Sequence, residues 1–318
     1  MYKTNIDRRK LLKLFGASAG LSLLPGFVRS MPAPAVDKNF SYCLNTATIR
    51  EHRLGLVGEL EAASAAGFNG VEIWMDTLQQ YIDKGGKLPD LRKRLSDLNL
   101  KVEGAIGFAT WIVDDDKQRA EGIEQLKKEM DLLAQIGCKR TAAPPAGATE
   151  NAGLDLRKAA ERYRVILELG DQTGVVPHLE LWGFSANLNR LSDVMFVAIE
   201  SGHPKAKVLL DNYHLYKGGS SLESVRLISP AAVEVLHVND YPEGLERTAI
   251  TDADRTYPGD GVSPIRDLLH TLTTPERPLV ISLEVFNKKY YSQKATEVTK
   301  TGLAKMKKVT SDVAKMDR

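Results

Sequence analysis

The sequence has little of what marks several large classes of protein. Only 2 of its 318 residues are cysteine, so the chain has no disulfide framework, and Cys43 and Cys138 are interpreted as small buried side chains. No glycine-rich phosphate loop follows an early strand, which disfavours a doubly wound nucleotide-binding sheet. An excess of one charge is also missing, with 43 Lys and Arg against 41 Asp and Glu. A nucleic-acid binder would need a basic face, so that class is disfavoured.

Residues 1–35 predict a twin-arginine export signal. The run DRRKLL at 7–12 has the twin-arginine pattern, an apolar stretch follows at 14–24, and APA at 33–35 is a candidate cleavage site. The stretch is too short and too rich in Gly and Ser to span a bilayer. An uncleaved anchor or a basic tail is the alternative. Export predicts a periplasmic protein that is free of the membrane after processing. Without residues 1–35 the chain has 37 basic and 40 acidic residues, a formal charge of −3.

From residue 40 onward, strand-like and helix-like patterns alternate. Short β-branched or leucine-rich runs predict buried parallel strands, and glycines such as Gly67 are placed to end the helices. The predicted strands are 40–45, 71–74, 102–106 and 139–143, followed by four runs within 174–286. The predicted helices are 56–66, 88–98, 116–135, 154–173, 188–201, 221–228, 264–272 and 290–315. Eight alternations over about 280 residues predict one (β/α)₈ TIM barrel, an α/β fold, as a single domain over 36–318.

Each of the last four strand-like runs ends in a possible metal ligand. The runs are VVPHLELWG (175–183), AKVLLDNYHLY (206–216), AVEVLHVND (232–240) and PLVISLEVF (278–286). Their candidate ligands are Glu180, Asp211, His237 and Glu284. Because the carboxyl ends of all strands in a parallel barrel face the same way, these side chains are expected to meet. Three carboxylates and one imidazole suit a divalent cation that is harder than those bound by thiolates.

Each of these residues alone has a simpler explanation. Glu180 and Glu284 could be structural if each were paired with a basic residue, but neither strand carries Lys or Arg. Asp211 could cap the next helix. A lone strand histidine such as His237 is more often a hydrogen-bonded core group. His178 could support a ligand or lie in the core. The four consecutive strand ends together favour the metal site.

The residues then show a family resemblance. The segment AAGFNGVEI (65–73) is similar to the opening pattern of the sugar phosphate isomerase/epimerase family of xylose-isomerase-like barrels. HLELWG, LLDNYH, LHVND and SLEVF resemble that family's four metal-ligand strands, and the resemblance covers essentially all of 40–318. It implies a small carbohydrate substrate and one divalent ion, Mn²⁺, Mg²⁺, Co²⁺ or Zn²⁺. The motifs are specific for the superfamily rather than for a substrate.

The resemblance also implies roles for the four ligands. In the ketose 3-epimerases of this superfamily, two glutamates bind the metal and face each other across the sugar. One removes a proton from the carbon next to a carbonyl, and the other returns it on the opposite face. Carried over, the catalytic glutamates are Glu180 and Glu284, and Asp211 and His237 complete the metal site.

Four further residues are expected to contact the substrate. A histidine three residues after the aspartate contacts substrate oxygen in the epimerases and corresponds to His214, whose alternative is a surface loop. An arginine shortly before a Pro-Gly turn corresponds to Arg255, in the long loop 241–262, a length typical of lids and substrate-contacting loops. Aromatic residues at or after strands could pack against a sugar ring, with core packing as the alternative. They are Trp74, Phe108, Trp111 and Trp182, of which Trp111 and Trp182 are the predicted contacts.

Two departures from the epimerase pattern widen the possible reactions. Ala186 stands where those epimerases carry another glutamate, and an export signal contrasts with cytosolic sugar epimerases. A lyase or dehydratase acting on an oxidised sugar is therefore the alternative, since proton abstraction can be followed by loss of a β-substituent. An apurinic endonuclease shares the barrel, but it needs three zinc ions and many histidines, and this chain has 6. A non-catalytic sugar-binding barrel would have no need of two opposed carboxylates.

Overall fold

Eight parallel strands form the centre of a computed structural model of the chain, which describes residues 38–316. The predicted export signal lies outside this range. The strands are β1 Phe40–Asn45, β2 Gly70–Trp74, β3 Lys101–Ile106, β4 Arg140–Ala143, β5 Val176–Glu180, β6 Val208–Asp211, β7 Val233–Val238 and β8 Leu279–Leu283. They pair in the order β3-β2-β1-β8-β7-β6-β5-β4.

The two end strands of this order, β3 and β4, are linked by side chains. Thr141 Oγ1 donates to the Ala105 carbonyl at 3.3 Å, and the Arg140 guanidinium donates to the Glu103 carbonyl at 3.1 Å. The sheet is therefore a nearly closed barrel, and the predicted parallel TIM-barrel fold is confirmed.

Helices cover the outside of the barrel. The α-helices are α1 Gly55–Ala66, α2 Met75–Asp83, α3 Leu88–Asp97, α4 Asp116–Gln135, α5 Leu156–Thr173, α6 Leu191–Glu200, α7 Asn212–Gly218, α8 Leu222–Val225, α9 Ile265–Leu272, α10 Lys288–Tyr291 and α11 Ala295–Met316, with a 3₁₀ helix at Thr46–His52. Gly67 ends α1 with φ 96°, as its position in the sequence predicts. Asp115 begins α4 by accepting a hydrogen bond from the Gln118 N–H at 2.7 Å.

Three helical segments differ from the sequence-based expectation. Met75–Asp83 follows β2 directly and was not predicted. Asn212–Gly218 is an additional helix within the run 206–216, and the Asp211 side chain, which closes the sixth strand as predicted, caps it. The single helix predicted over 290–315 is broken, because Asn287 caps a separate short helix whose Tyr290 ring stacks on Tyr257 at 4.0 Å.

Every second residue of each strand points into the barrel. Deep in the interior these residues form an apolar cluster of Cys43, Ile106, Ala142, Leu209, Val235 and Val280. Two positions further along their strands, Asn45, Asp211, His237 and Ser282 are polar and buried. The barrel therefore has an apolar floor beneath a polar layer at the carboxyl ends of the strands.

Two further sequence-based points concern the described residues. Cys43 and Cys138 are both buried and free, with Cys138 Sγ lying 3.1 Å from the Arg140 carbonyl. Within 38–316, no helix combines the length and the apolar character that crossing a membrane requires.

Helix α1 carries a buried carboxylate on its inner face. Glu59 is 3% exposed, and its Oε2 atom has no hydrogen-bond partner among the described residues. Burial raises the pKa of Glu59 to about 7, and a hydrogen bond from Thr46 opposes the rise. The folded chain therefore prefers the protonated acid, so Glu59 stabilises the fold fully below pH 4.5 and loses that contribution as the pH rises through 7.

We expect Glu59→Gln to stabilise the protein at pH 8 and to leave it nearly unchanged at pH 4.5, because the amide resembles the protonated acid. The gain at pH 8 should be about 2–3 kcal/mol in the free energy of unfolding, measured by urea denaturation at both pH values. Glu61→Gln removes a carboxylate that pairs with Arg94 at 2.8 Å on the outer face of the same helix and is the matched control. An equal gain in stability at both pH values would contradict the raised pKa of Glu59.

Candidate active site

Three of the four predicted ligands meet at the carboxyl ends of the strands. Asp211 on β6 lies opposite His237 on β7, and His237 lies opposite Ser282 on β8. Glu284 follows Ser282 by two positions and faces the same way. One ligand atom each from Asp211, His237 and Glu284 lies within 4.8 Å of the other two, and all three residues are buried. The strand register therefore produces a compact set of oxygen and nitrogen donors.

The two ring nitrogens of His237 have different surroundings. Nε2 lies 2.8 Å from Glu72 Oε2. Nδ1 lies 3.3 Å from Glu284 Oε2 and 3.7 Å from Asp211 Oδ2, and no described residue offers it a hydrogen bond of good geometry. Burial alone would lower the pKa of His237, but the charges of Glu72 and Glu284 raise it well above its usual value. Nδ1 therefore faces a strongly negative space that suits a cation.

Glu72 is a functional candidate that the sequence reasoning missed. It lies on β2 and is 2% exposed. Its carboxylate accepts hydrogen bonds from Ser282 Oγ at 2.7 Å and from Asn45 Nδ2 at 3.2 Å, and it also contacts His237. Burial alone would raise the pKa of Glu72, but the charge and hydrogen bond of His237 lower it. A carboxylate within the apolar run GVEIW is the sequence signal for it, and it lies outside the last four strands, which carry the predicted ligands.

Arg255 supplies positive charge to the donor set. It is 1% exposed, and its Nη1 donates to Asp211 Oδ2 at 2.9 Å and Glu284 Oε2 at 2.8 Å. Its Nη2 lies 3.2 Å from His214 Nε2 and also donates to Asp252. Glu284 therefore has a basic partner, which comes from a loop rather than from its own strand.

The loop after β7 is fixed so that Arg255 enters the barrel. The Asp240 carboxylate accepts backbone N–H groups of Tyr241, Gly259 and Ser263 at 2.8–2.9 Å. Asp240 and Thr256 also form a backbone bridge. At Gly261 a Cβ would lie 2.1 Å from the Tyr241 carbonyl oxygen, so only glycine fits this close approach. These contacts make the loop a rigid support for Arg255 in this structure.

Asp211 combines the two roles that the sequence left open. Its Oδ1 accepts the His214 backbone N–H at 3.1 Å, as a helix cap does. Its Oδ2 faces His237 and Arg255, and Asn239 Nδ2 donates to both oxygens at 3.1 and 3.2 Å. Capping the helix fixes the carboxylate so that its second oxygen points into the donor set.

His214 is buried rather than in a surface loop. It is 4% exposed, and its Nδ1 has no hydrogen-bond partner within the described range. Burial lowers the pKa of His214 to about 4, although the charge of Asp211 opposes the change. The imidazole is therefore neutral near pH 7, and it offers one unpaired ring nitrogen beside Arg255.

Among the described residues, Glu180 is not part of the compact set formed by Asp211, His237 and Glu284. It ends β5, is 4% exposed, and its Oε2 has no hydrogen-bond partner in residues 38–316. Burial raises the pKa of Glu180 to about 8; the His237 charge opposes this rise and the Glu284 charge adds to it. Near neutral pH the protonated form of Glu180 is therefore the more populated one.

Aromatic rings form a rim beside the donor set. The ring centres of Trp74 and Phe108 are 5.3 Å apart, those of Phe108 and Trp182 6.0 Å, and those of Trp182 and Phe184 5.1 Å. Trp182 is part of this rim, and its contact with a substrate stays a prediction. Trp111 instead lies in the core, because it is 1% exposed and its Nε1 donates to the Pro144 carbonyl at 2.9 Å. Core packing was the alternative to contact with a sugar ring for this residue.

The donor set fits a divalent cation. The carboxylates of Glu72, Glu180, Asp211 and Glu284 are all buried, and Arg255 is the permanent cation among them. If all four were ionised, the excess charge would be −3, which is costly in a buried site. A divalent ion would reduce this excess, and the unpaired His237 Nδ1 would have a partner. Oxygen and imidazole donors suit Mg²⁺, Mn²⁺, Co²⁺ or Zn²⁺.

Comparison with known proteins places the chain in a family. The family model described as xylose isomerase-like TIM barrel matches residues 60–309. An inosose isomerase of Bacillus velezensis is 27% identical over 267 residues, covering 81% of this chain and 93% of the relative. A 3-dehydro-D-guloside 4-epimerase of Escherichia coli is 24% identical over 221 residues, covering 65% of this chain and 78% of the relative.

A solved structure agrees with these relatives. A crystal structure of an IOLI protein with a zinc atom bound has a TM-score of 0.75 and 25% sequence identity, covering 86% of this chain and 97% of the other. The chain therefore belongs to the xylose isomerase-like TIM barrel family. It is a sugar isomerase/epimerase-like enzyme, and the enzyme class predicted from the sequence is confirmed.

We expect Glu72→Gln to weaken divalent-metal binding by about 10- to 100-fold, because the carboxylate orients the His237 ring and increases its basicity. Titration calorimetry with Zn²⁺ and Mn²⁺ on the metal-free protein would measure the change. Glu59→Gln alters a buried carboxylate outside the site and is the control. Unchanged affinity in Glu72→Gln would show that the His237 ring is held by other contacts.

Proposed function

We propose that this protein is a divalent-metal-dependent isomerase or epimerase that transfers a proton next to the carbonyl of a sugar or keto-sugar. One observation carries the proposal. Two unpaired buried atoms, Glu180 Oε2 and His237 Nδ1, lie at the carboxyl ends of β5 and β7, and the other donors are Asp211 on β6 between them and Glu284 after β8. Such a site would hold a cation on one side and exchange a proton on the other.

We assign Asp211, His237 and Glu284 to the cation, with Glu180 beside them. A bound divalent ion would stabilise the negative charge that develops on the carbonyl oxygen when the neighbouring carbon loses a proton. Glu72 keeps the proton of His237 on Nε2, so that Nδ1 presents its lone pair to the cation. Experiment must decide among Mn²⁺, Mg²⁺, Co²⁺ and Zn²⁺. Zn²⁺ is the first ion to test, because the similar IOLI structure contains a zinc atom.

Proton transfer is assigned to the two glutamates. Glu284 is the base, and Glu180 is the acid because burial raises its pKa to about 8. His214 and Arg255 are assigned to the oxygens of the substrate, since each has one unpaired nitrogen, Nδ1 and Nε, among the described contacts. Trp182, in the aromatic rim, would pack against the apolar face of the ring. A positioned carboxylate base contributes roughly a hundred- to ten-thousand-fold to the rate.

A lyase acting on an oxidised sugar is the second candidate. The same base would remove the same proton, and a β-substituent would then leave instead of the proton returning. The protonated Glu180 favours this candidate because a departing oxygen needs an acid. Product analysis separates the two reactions, since an epimerase yields a stereoisomer of equal mass and a lyase yields an unsaturated sugar and a released group.

We expect Glu180→Gln and Glu284→Gln each to lower solvent-proton exchange by at least about a hundredfold, because an amide cannot transfer the proton. The measurement is deuterium incorporation from D₂O into a panel of ketoses and 3-keto-glycosides, with the metal supplied. Glu180→Gln should keep most of the metal affinity, whereas Glu284→Gln should lose much of it. Glu59→Gln is the control for loss of a buried carboxylate. Exchange at the wild-type rate in either site variant would contradict the assigned role.

We also propose that the enzyme works in the periplasm. The proposal rests on the sequence of residues 1–35, with its paired Arg8 and Arg9. Replacing both by lysine should retain the protein in the cytoplasm, because the export machinery reads the arginine pair. Cell fractionation and immunoblotting would measure the distribution. Lys3→Arg, which changes a basic residue outside the pair, is the control, and unchanged export of the double variant would overturn the proposal.

A further inference from the structure

A cavity of about 820 Å³ lies beside the donor set. Its walls come from the start of α2, the end of β3 and one face of α4. Its lining residues include Arg50, Trp74, Asp76, Phe108, Ala120 and Glu129. A volume of this size holds a group as large as a sugar ring with its hydration.

The cavity and the active site share a wall. Trp74 lines the cavity, and its Nε1 donates to Asn45 Oδ1 at 3.0 Å. Asn45 Nδ2 in turn donates to Glu284 Oε1 at 2.9 Å. Phe108, which is 44% exposed, lies between Trp74 and Trp182 in the aromatic rim. A substrate bound at the donor set would therefore extend past Trp74 and Phe108 into the cavity.

The charges of the cavity favour a neutral occupant. Asp76, Glu121, Glu124 and Glu129 line it, with Arg50 and Lys128 as cations. Arg50 is already engaged, because its guanidinium pairs with Asp76 and lies 4.5 Å from the centre of the Trp74 ring. The excess of carboxylates repels phosphate and other anions. Carboxylates are hydrogen-bond acceptors for hydroxyl groups, and exposed aromatic rings pack against the C–H faces of sugars.

Glu129 provides a carboxylate acceptor in the wall of the cavity. Its Oε1 accepts from Gln125 Nε2 at 2.8 Å, whereas its Oε2 is buried with no hydrogen-bond partner in the described part of the chain. Gly107 allows this position, since a Cβ there would lie 2.6 Å from Oε2. An unpaired buried acceptor is costly, and a hydroxyl donor from a ligand would satisfy it.

We propose that this cavity is a second subsite that binds the neutral, hydroxyl-rich aglycone of a keto-glycoside, such as a second sugar ring. The proposal rests on the proposed function and makes it more specific. The enzyme would take an oxidised sugar that is still joined to another polyol, in preference to a free or phosphorylated monosaccharide. The keto ring would lie at the donor set, and the aglycone would lie against Trp74 and Phe108 with its hydroxyls towards Glu129.

The cavity can be blocked from an exposed helix position. Ala120 lines the cavity and is exposed on α4, so Ala120→Trp should fold normally and fill the space. Lys117→Trp lies on the same helix, outside the cavity lining, at a position with an 87% exposed side chain, and is the matched control. Two substrates are compared in the metal-loaded enzyme: the 3-keto derivative of a non-reducing disaccharide and the methyl 3-keto-glycoside of the same sugar.

We expect Ala120→Trp to lower kcat/KM for the disaccharide derivative by about tenfold or more, the value of one or two well-made hydrogen bonds. The methyl glycoside should change by less than about twofold, and Lys117→Trp should affect neither. Equal effects on both substrates, or no effect, would overturn the subsite. A 6-phosphate on the second ring should weaken the wild-type reaction, and a gain in kcat/KM from the phosphate would also overturn it.

A binding measurement separates this proposal from the proposed reaction. Titration calorimetry with the unoxidised non-reducing disaccharide and with the methyl glycoside needs no turnover. The disaccharide should bind the wild type more tightly, and Ala120→Trp should abolish that difference. Absence of deuterium exchange with every keto-sugar would refute the reaction while leaving this binding result to decide the subsite. Equal binding of the two ligands by the wild type would refute the subsite even if exchange is observed.

Discussion

The site depends on one electrostatic constraint, the burial of four carboxylates in the mouth of the barrel. Repulsion among Glu72, Glu180, Asp211 and Glu284 in a poorly solvated space is costly unless positive charge is supplied. Arg255 supplies part of it through hydrogen bonds of 2.8 and 2.9 Å to Glu284 and Asp211. The raised pKa of His237 reflects the remaining negative charge, and burial raises the pKa of Glu180. A divalent cation would satisfy the same requirement and supply the chemistry of the enzyme class.

The fold makes this concentration of charge possible by separating it from the hydrophobic core. The apolar cluster from Cys43 to Val280 fills the interior below, and the polar layer follows two residues later on the same strands. A fixed register then determines which side chains meet. The loop after β7 adds the element that the strands lack, because Asp240 binds its backbone at both ends and directs Arg255 inwards.

The site also combines a buried, hydrogen-bonded part with a more exposed part. Glu72, Asn45 and Ser282 hold His237 and Glu284 through buried hydrogen bonds of 2.7–3.2 Å. The aromatic rim and the cavity beyond Trp74 involve exposed side chains such as Phe108 and Gln79, which constrain the fold less. Proton transfer would therefore depend on the strands, whereas the group attached to the sugar would be selected by the surfaces of α2 and α4.

The sequence by itself determined the barrel, since eight buried strands alternate with amphipathic helices and no glycine-rich phosphate loop supports the doubly wound alternative. It also indicated Asp211, His237 and Glu284, because strand ends in a parallel barrel converge whatever the detailed packing. Only the tertiary structure decided that Glu72 contacts His237 across 165 positions of sequence and that Arg255 pairs with Asp211 across 44. It likewise put Trp111 in the core and buried Glu180, which raises the pKa of that carboxyl. These outcomes depend on strand register, loop path and burial, which local sequence patterns do not encode.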